Sequence, residues 1–211
     1  IAIQPDLGTA IMVFLIFLVF ITAIEIDGAS LTKLFGTGIF LIPSLWFFLR
    51  DYQKQRVMTL FNPEIDPLGA GYHSIQSKIA IGSGGFLGKG LFMGTQSRLN
   101  FLPEKHTDFI FSVFAEETGF IGVVLLLSIY LFIILKGLNI AFHARDRFGL
   151  FLALGIVSSI SFYALFNLGM AVGLFPVTGL PLPLVSYGGS SLVTNFFAFG
   201  LLLNIGMRRT I

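Results

Sequence analysis

The sequence predicts an all-α polytopic membrane protein with about five transmembrane helices and one large extracytoplasmic loop. Three observations carry this expectation. Of 211 residues, 55% are hydrophobic and only 11% are charged, where soluble domains carry about 25% charge. The apolar residues gather into blocks free of Asp, Glu, Lys, Arg and His. The charges, in turn, concentrate in one segment between Arg50 and Glu117, which holds seven Lys/Arg and seven Asp/Glu. So few charges cannot coat a soluble globule, a basic nucleic-acid-binding surface or a disordered tail. With no cysteine, disulfides, thiolate metal sites and Cys nucleophiles are excluded as well.

The apolar blocks, in order, are Ile11 to Ile24, Leu34 to Leu49, Phe120 to Leu135, Phe148 to Pro176 and Tyr187 to Met207. Each, with its flanks, reaches the roughly 17–25 residues that cross a bilayer as a helix. Helices are the required form, because an apolar run in lipid must satisfy its own backbone hydrogen bonds. Pro43 kinks the second block, and Trp46 near its end reads as an interfacial anchor. The chain opens on Ile1-Ala2-Ile3 without an initiator Met, and reads as the C-terminal part of a longer membrane protein. The expected organisation is residues 1–50 with two helices after a Gln-Pro-Asp-Leu-Gly-Thr turn, 51–108 as the large loop with short helices, and 109–211 with three helices. Tyr72 to Ile81 is one such short helix, with Ile75, Ile79 and Ile81 toward the membrane and Gly82-Ser83-Gly84-Gly85 breaking it. Alternation places Lys136 to Arg147 and Arg208-Arg209 on one side, cytoplasmic by the positive-inside rule. The long loop then lies outside, although it carries about as many Lys/Arg as those segments combined.

Four segments could carry chemistry. Gly82 to Gly90 lacks both the phosphate-loop spacing and G-x-G-x-x-G. It is either a loop of tight turns or a set of backbone amides approaching a diphosphate, with Lys89 as counter-charge. In Pro103-Glu104-Lys105-His106-Thr107-Asp108, Asp108 is either the N-cap of the next helix or a surface carboxylate suited to general-base work beside His106 and Glu104. On that helix Ser112 and Ala115 share a face with Glu116 nearby, a small polar stripe able to line a cavity, and Glu117 falls opposite. Asp6 either caps the first helix or supplies a second carboxylate. Gly179 to Ser191, with two prolines and three serines, is a helix connection or a ligand-binding loop. Asn167 and Asn195 are expected to bond neighbouring helices. His73, His106 and His143 show no metal-ligand spacing.

Four motifs together resemble the SEDS family of bacterial cell-shape and division proteins. They are Gln4-Pro-Asp-Leu-Gly-Thr-Ala, Leu102-Pro-Glu-Lys-His-Thr-Asp-Phe-Ile-Phe, Ala115-Glu-Glu-Thr-Gly-Phe-Ile-Gly and Leu182-Pro-Leu-Val-Ser-Tyr-Gly-Gly-Ser-Ser. Asp66-Pro-Leu-Gly-Ala-Gly-Tyr, Ile75-Gln-Ser-Lys-Ile-Ala-Ile-Gly-Ser-Gly-Gly and Phe175-Pro-Val-Thr-Gly-Leu-Pro-Leu-Pro resemble its RodA branch. The resemblance implies a ten-helix fold, of which this chain would hold about the last five, in the bacterial inner membrane. It implies a peptidoglycan glycosyltransferase joining lipid II, an undecaprenyl-diphosphate-linked precursor, into glycan strands outside the cytoplasmic membrane. The family's catalytic Asp follows His-Thr, which maps onto Asp108. His106, Glu104 and Glu116 would then tune that base, with Asp6 in support. Lys78, Lys89 and Arg98 are candidates for the diphosphates. Gln76, Gln96, Ser186, Tyr187, Gly188 and Ser190 are candidate hydrogen-bonding groups. A divalent cation such as Mg or Mn would suit the leaving diphosphate, but the sequence displays no metal cage. The implied partners are a class B penicillin-binding transpeptidase and other elongation-complex membrane proteins, and no nucleic acid.

Two rival classes use the same features. One is a flippase for the lipid-linked precursor, which would bury ionisable residues at mid-membrane. The apolar blocks contain none. The other is a passive scaffold of the elongation machinery.

Overall fold

The structure is a computed structural model that describes residues 6–24, 49–66, 69–98 and 106–208, with positions 32, 36, 37 and 47 singly between. Among these residues the regular secondary structure is all helical. Helices are α1 (Leu7–Ala23), α2 (Asp51–Phe61), α3 (Ala70–Gly84), the single turn α4 (Thr95–Arg98), α5 (Ile110–Phe142), α6 (Arg147–Val172) and α7 (Gly189–Met207), with a 3-10 turn over Pro63–Ile65. Most of the second apolar block, including Pro43 and Trp46, lies outside the described residues.

The three longest helices are α5, α6 and α7, at 33, 26 and 19 residues, and each is long and apolar enough to cross a membrane. The protein is therefore a multi-pass membrane protein. α1 has 17 residues, about 25 Å of helix, at the lower limit for a crossing. Position in the bundle follows from burial. In the most apolar stretch of α6, 33% of residues are buried, against 11% in α5 and 6% in α7. α6 is thus the central helix, while α5 and α7 present apolar faces outward.

Small residues let the other helices approach α6. Ala153, Val157 and Leu154 pack with Ala141 of α5 and Leu202 of α7. A Cβ built on Gly137 of α5 would collide with the Val157 side chain. α1 runs antiparallel to α6. Its Gly8 lies against Thr178, whose carbonyl oxygen would be 2.9 Å from an added Cβ. At its other end Phe20 meets Phe151 edge-on at 6.0 Å. Asp6 is the N-cap of α1, as the turn reading expected.

α3 packs along the first turns of α5. It continues through Gly82, Ser83 and Gly84 and stops only at Gly85, whose φ is 58°. The expected break at Gly82 is therefore displaced to Gly85. The reason is local: Gly84 is buried, and a Cβ there would strike the Ala115 carbonyl of α5, so the helix must stay regular while it passes. Ile75 and Ile79 are 39% and 46% exposed, but Ile81 packs on the core beside Phe111 and Leu182.

Candidate functional site

Two assemblies organise the first turns of α5. The first surrounds Asp108. Residues 106–109 form a turn, and the N-cap position of α5 is Phe109, without a side-chain cap. Asp108 lies one residue before it. The turn is instead held through its backbone. Asn167, wholly buried in α6, donates from Nδ2 to the Asp108 carbonyl at 2.9 Å and to the Leu180 carbonyl at 2.8 Å. Ser186 donates to the Thr107 carbonyl and accepts from the Leu182 amide, both at 2.7 Å. The Tyr187 amide donates to the His106 carbonyl at 2.9 Å. Tyr130 of α5 donates to the Pro183 carbonyl. The prolines of residues 179–187 cannot satisfy their own carbonyls by helix, so side chains from α5 and α6 do it. The result is a knot that ties the Asp108 turn to the Pro-rich connection.

Beside the knot lies a cavity of about 350 Å³, with Asp6, Thr9, Tyr163, Ser190, Thr194 and Asn195 among its walls. Gly179 also lines it, and a Cβ built there would be 3.7 Å from Asp108 Oδ2. The Asp108 carboxyl thus lies beside Gly179, a wall residue of a cavity that mixes polar groups with Ile160, Leu180, Pro181 and Pro183. Asp6 accepts from the Thr9 hydroxyl at 2.6 Å and the Thr9 amide at 2.9 Å. The hydroxyl bond first, and then the amide bond, hold its carboxyl below the ordinary carboxylate range. Partial burial opposes them, and the positive charge of Arg56 adds a smaller pull downward.

The second assembly is a latch at Gly119. There α5 is interrupted: Gly119 has φ 67° and ψ −163°, outside any helix. A break frees backbone groups that must find partners. The Gly-rich segment supplies them. The Lys89 and Gly90 amides donate to the Glu116 and Glu117 carbonyls, both at 3.0 Å, while the Phe120 and Ile121 amides donate to the Gly85 and Phe86 carbonyls at 3.0 and 3.3 Å. Glycine is required for the approach. A Cβ on Gly88 would strike the Glu117 carbonyl, and one on Gly119 would strike the Gly88 amide. The Glu116 side chain, fully buried, closes the latch. Its Oε1 accepts from Lys89 Nζ at 2.7 Å, the Thr95 amide at 2.8 Å, the Thr95 hydroxyl at 2.9 Å and the Gln96 amide at 3.1 Å.

These positions sort the expected site residues. Asp6 lines the cavity, and the Asp108 carboxyl lies beside Gly179 of its wall. Ser190 lines it, Gly188 precedes α7, and Tyr187 is 81% exposed. Ser186 is buried, with its hydroxyl engaged in the knot. His106 is exposed and contributes its carbonyl. Glu104 lies outside the described residues, as does the side chain of Arg98. Glu116, Lys89 and Gln96 belong to the latch, two helical turns beyond Asp108. The Lys89 amide and ammonium, read as diphosphate contacts, are both occupied there. Lys78 is exposed and lies across Gly173, the left-handed cap of α6, where a cation suits the helix C-terminus. Gln76 of α3 is half-buried. The stripe of Ser112, Ala115 and Glu116 is buried, with Ser112 and Ala115 against α3. Ser77 donates to the Ala171 carbonyl at 2.6 Å and bonds Ser112 at 2.6 Å, joining α3, α5 and α6. Asn167 bonds loop carbonyls, where a helix–helix bond was expected. Asn195 bonds Ser191 of its own helix.

Of the polar cavity walls on α6 and α7, Ser190 was a candidate and Ser191 lay in the segment read as a possible ligand-binding loop, whereas Ser159, Tyr163 and Thr194 were missed. A signal existed: Ser159 and Tyr163, Ser190 and Thr194, and Ser191 and Asn195 are each four residues apart, on one helical face. Among the described residues no three His, Asp or Glu side chains converge as a metal cage.

Comparison with known proteins agrees with this architecture. The chain is 51% identical over 216 residues to the peptidoglycan glycosyltransferase MrdB of Escherichia coli K12, covering 99% of this chain and 57% of that protein. It is 48% identical over 161 residues to the peptidoglycan glycosyltransferase RodA of Treponema pallidum, covering 76% of this chain and 37% of that protein. With the probable peptidoglycan glycosyltransferase FtsW of Trichlorobacter lovleyi it shares 43% identity, over 96% of this chain and 52% of that protein. The chain thus spans about half the length of the curated relatives it matches. A solved chain from work described as "Structural coordination of polymerization and crosslinking by a peptidoglycan synthase complex" superposes with a TM-score of 0.76 at 35% identity, over 97% of this chain and 56% of that one. The model of the FtsW, RodA and SpoVE cell cycle proteins matches residues 1–211, and with the helical order, the Asp108 turn and the Pro-rich connection it leads to one conclusion: the chain belongs to that family.

Proposed function

We propose that the protein containing this chain is a peptidoglycan glycosyltransferase that polymerises lipid II into glycan strands for cell elongation, with Asp108 as general base. The observation that supports the reading is the Asp108 carboxyl beside Gly179, a wall residue of the cavity, with its backbone carbonyl held by Asn167. Curated relatives at 48–51% identity bear the name of that activity.

In the proposed reaction the acceptor 4-hydroxyl gives its proton to the Asp108 carboxylate as its oxygen attacks the donor anomeric carbon. The new C–O bond forms while the bond from that carbon to the diphosphate oxygen breaks. Undecaprenyl diphosphate leaves with the electron pair, and a single displacement inverts α to β. Pinning the backbone on both sides of the carboxylate lowers the cost of orienting it, which is the main contribution a general base needs from its scaffold. Asp6 and the cavity hydroxyls are placed to bond sugar hydroxyls. No step is assigned to a metal. The site is proposed to face outside the cytoplasmic membrane, where a class B penicillin-binding transpeptidase would receive the strand. The description of the solved relative as a complex of polymerisation and crosslinking supports that partner.

The test is lipid II polymerisation by the full-length protein with its transpeptidase. Asp108→Asn and Asp108→Ala are expected to lose about 10²-fold or more of the rate while keeping the wild-type melting temperature. Undiminished strand formation by both variants would remove Asp108 from the mechanism.

A further inference from the structure

The segment between α3 and α4 turns five large apolar side chains outward. Phe86, Leu87, Leu91, Phe92 and Met93 are between 65% and 83% exposed. Phe92 sits at φ 61°, a left-handed conformation that side chains resist, and is the most exposed of the five. The charge of the segment points the other way. Lys89 turns inward to the buried Glu116 at 2.7 Å, so residues 85–94 present no ionised group on their outer face.

The height of this segment is fixed by the latch. Its backbone bonds to Phe120 and Ile121, and Phe86 stacks on Phe120 with ring centroids 5.6 Å apart. Phe120 opens the exposed apolar run of α5, followed by Ile121, Val124 and Leu125. That run belongs to a helix long and apolar enough to cross the membrane, so its outward apolar side chains form a surface suited to lipid. The exposed loop is a continuation of the same surface. We propose that residues 85–94 form a membrane-inserted loop, with the five apolar side chains entering the interfacial layer of the leaflet at the α5 N-terminal end. Lipid is the occupant favoured by continuity with α5 and by the uncharged tip; a protein-binding patch carries a polar rim. The proposal does not depend on the reaction assigned above.

The test uses the full-length protein in phospholipid nanodiscs, with any cysteine outside these residues replaced by serine. Nitroxide labels are placed singly at Leu87→Cys and Phe92→Cys. Leu125→Cys serves as the lipid-facing reference and Arg145→Cys, in the exposed α5–α6 connection, as the aqueous one. Collision rates with dissolved oxygen and with a water-soluble nickel chelate are read by power saturation. An oxygen-to-nickel ratio at 87 and 92 several-fold above that at 145, approaching that at 125, supports insertion. A ratio like that at 145 overturns it in favour of a loop standing in water. Low collision with both probes also overturns it, by showing a loop buried against protein.

Discussion

The knot at Asp108 and the latch at Gly119 lie two to three helical turns apart and hold the same stretch of chain by opposite means. The knot uses side chains: Asn167 and Tyr130 reach carbonyls of the proline-rich connection, and Ser186 of that connection reaches the Thr107 carbonyl. The latch uses the lack of them: Gly84, Gly88 and Gly119 bring two backbones into direct contact. The knot leaves a carboxyl beside a cavity, whereas the latch consumes its carboxylate, Glu116, in internal bonds. A charged residue in a loop is therefore a poor guide to ligand contact until its partners are known. Lys89 pairs with Oε1 of Glu116, while Asp6 lines the cavity and Asp108 lies beside Gly179 of its wall.

The contrast is open to direct attack. Gly88→Ala should do the most damage. It combines a side chain at φ 77° with loss of the Lys89 and Gly90 amide bonds, about 3 kcal/mol in all, seen as a lowered melting temperature in detergent. Gly82→Ala is the control. Nothing lies within 4 Å of its added Cβ, and the helix around it should gain about 0.5–1 kcal/mol. Equal destabilisation by both variants would refute the latch. Asn167→Ala attacks the knot and should cost about 2 kcal/mol, from two buried carbonyls left unpaired. It should also slow strand formation, because the Asp108 turn is no longer pinned. The smallest effect is at Asp6→Ala, about 1 kcal/mol for a lost N-cap. Its pH dependence has a definite sign. The folded-state pKa lies below the ordinary value of 3.8, so the stabilisation is complete above that value and fades as pH falls through the lowered one. The melting-temperature gap between wild type and Asp6→Ala should shrink on acidification below 3.8. A gap that widened there would contradict the cap geometry.

The sequence made the crossings legible because lipid imposes a composition. α6 and α7 begin within two residues of their apolar blocks. α5 shows where this stops. Its apolar block begins at Phe120, the residue after the break, so the block marked the lipid-facing part and gave no hint of the two turns before it. Those turns carry Ser112 and Glu116, whose partners Ser77 and Lys89 come from residues 35 and 27 positions earlier. No local period encodes such pairings. Asp108 stood out through its motif, but the support of that residue did not. Asn167 is one amide in an apolar helix, and its target carbonyls are set only when the Pro-rich connection folds back. The glycines were hardest to read, since a residue that works by omission resembles a flexible spacer.

The interruption at Gly119 also has a bearing on biosynthesis. Its four freed backbone groups need partners before hydrocarbon surrounds them. The segment that supplies them, residues 85–90, precedes Gly119 in the chain and has left the ribosome when α5 is made. The latch can close as α5 enters the bilayer. The knot needs Asn167 and the residues up to Tyr187, which emerge later. Assembly is thereby ordered from N- to C-terminus: α5 is first bent and seated against α3, and the Asp108 turn is fastened only when α6 has been threaded and the chain has returned.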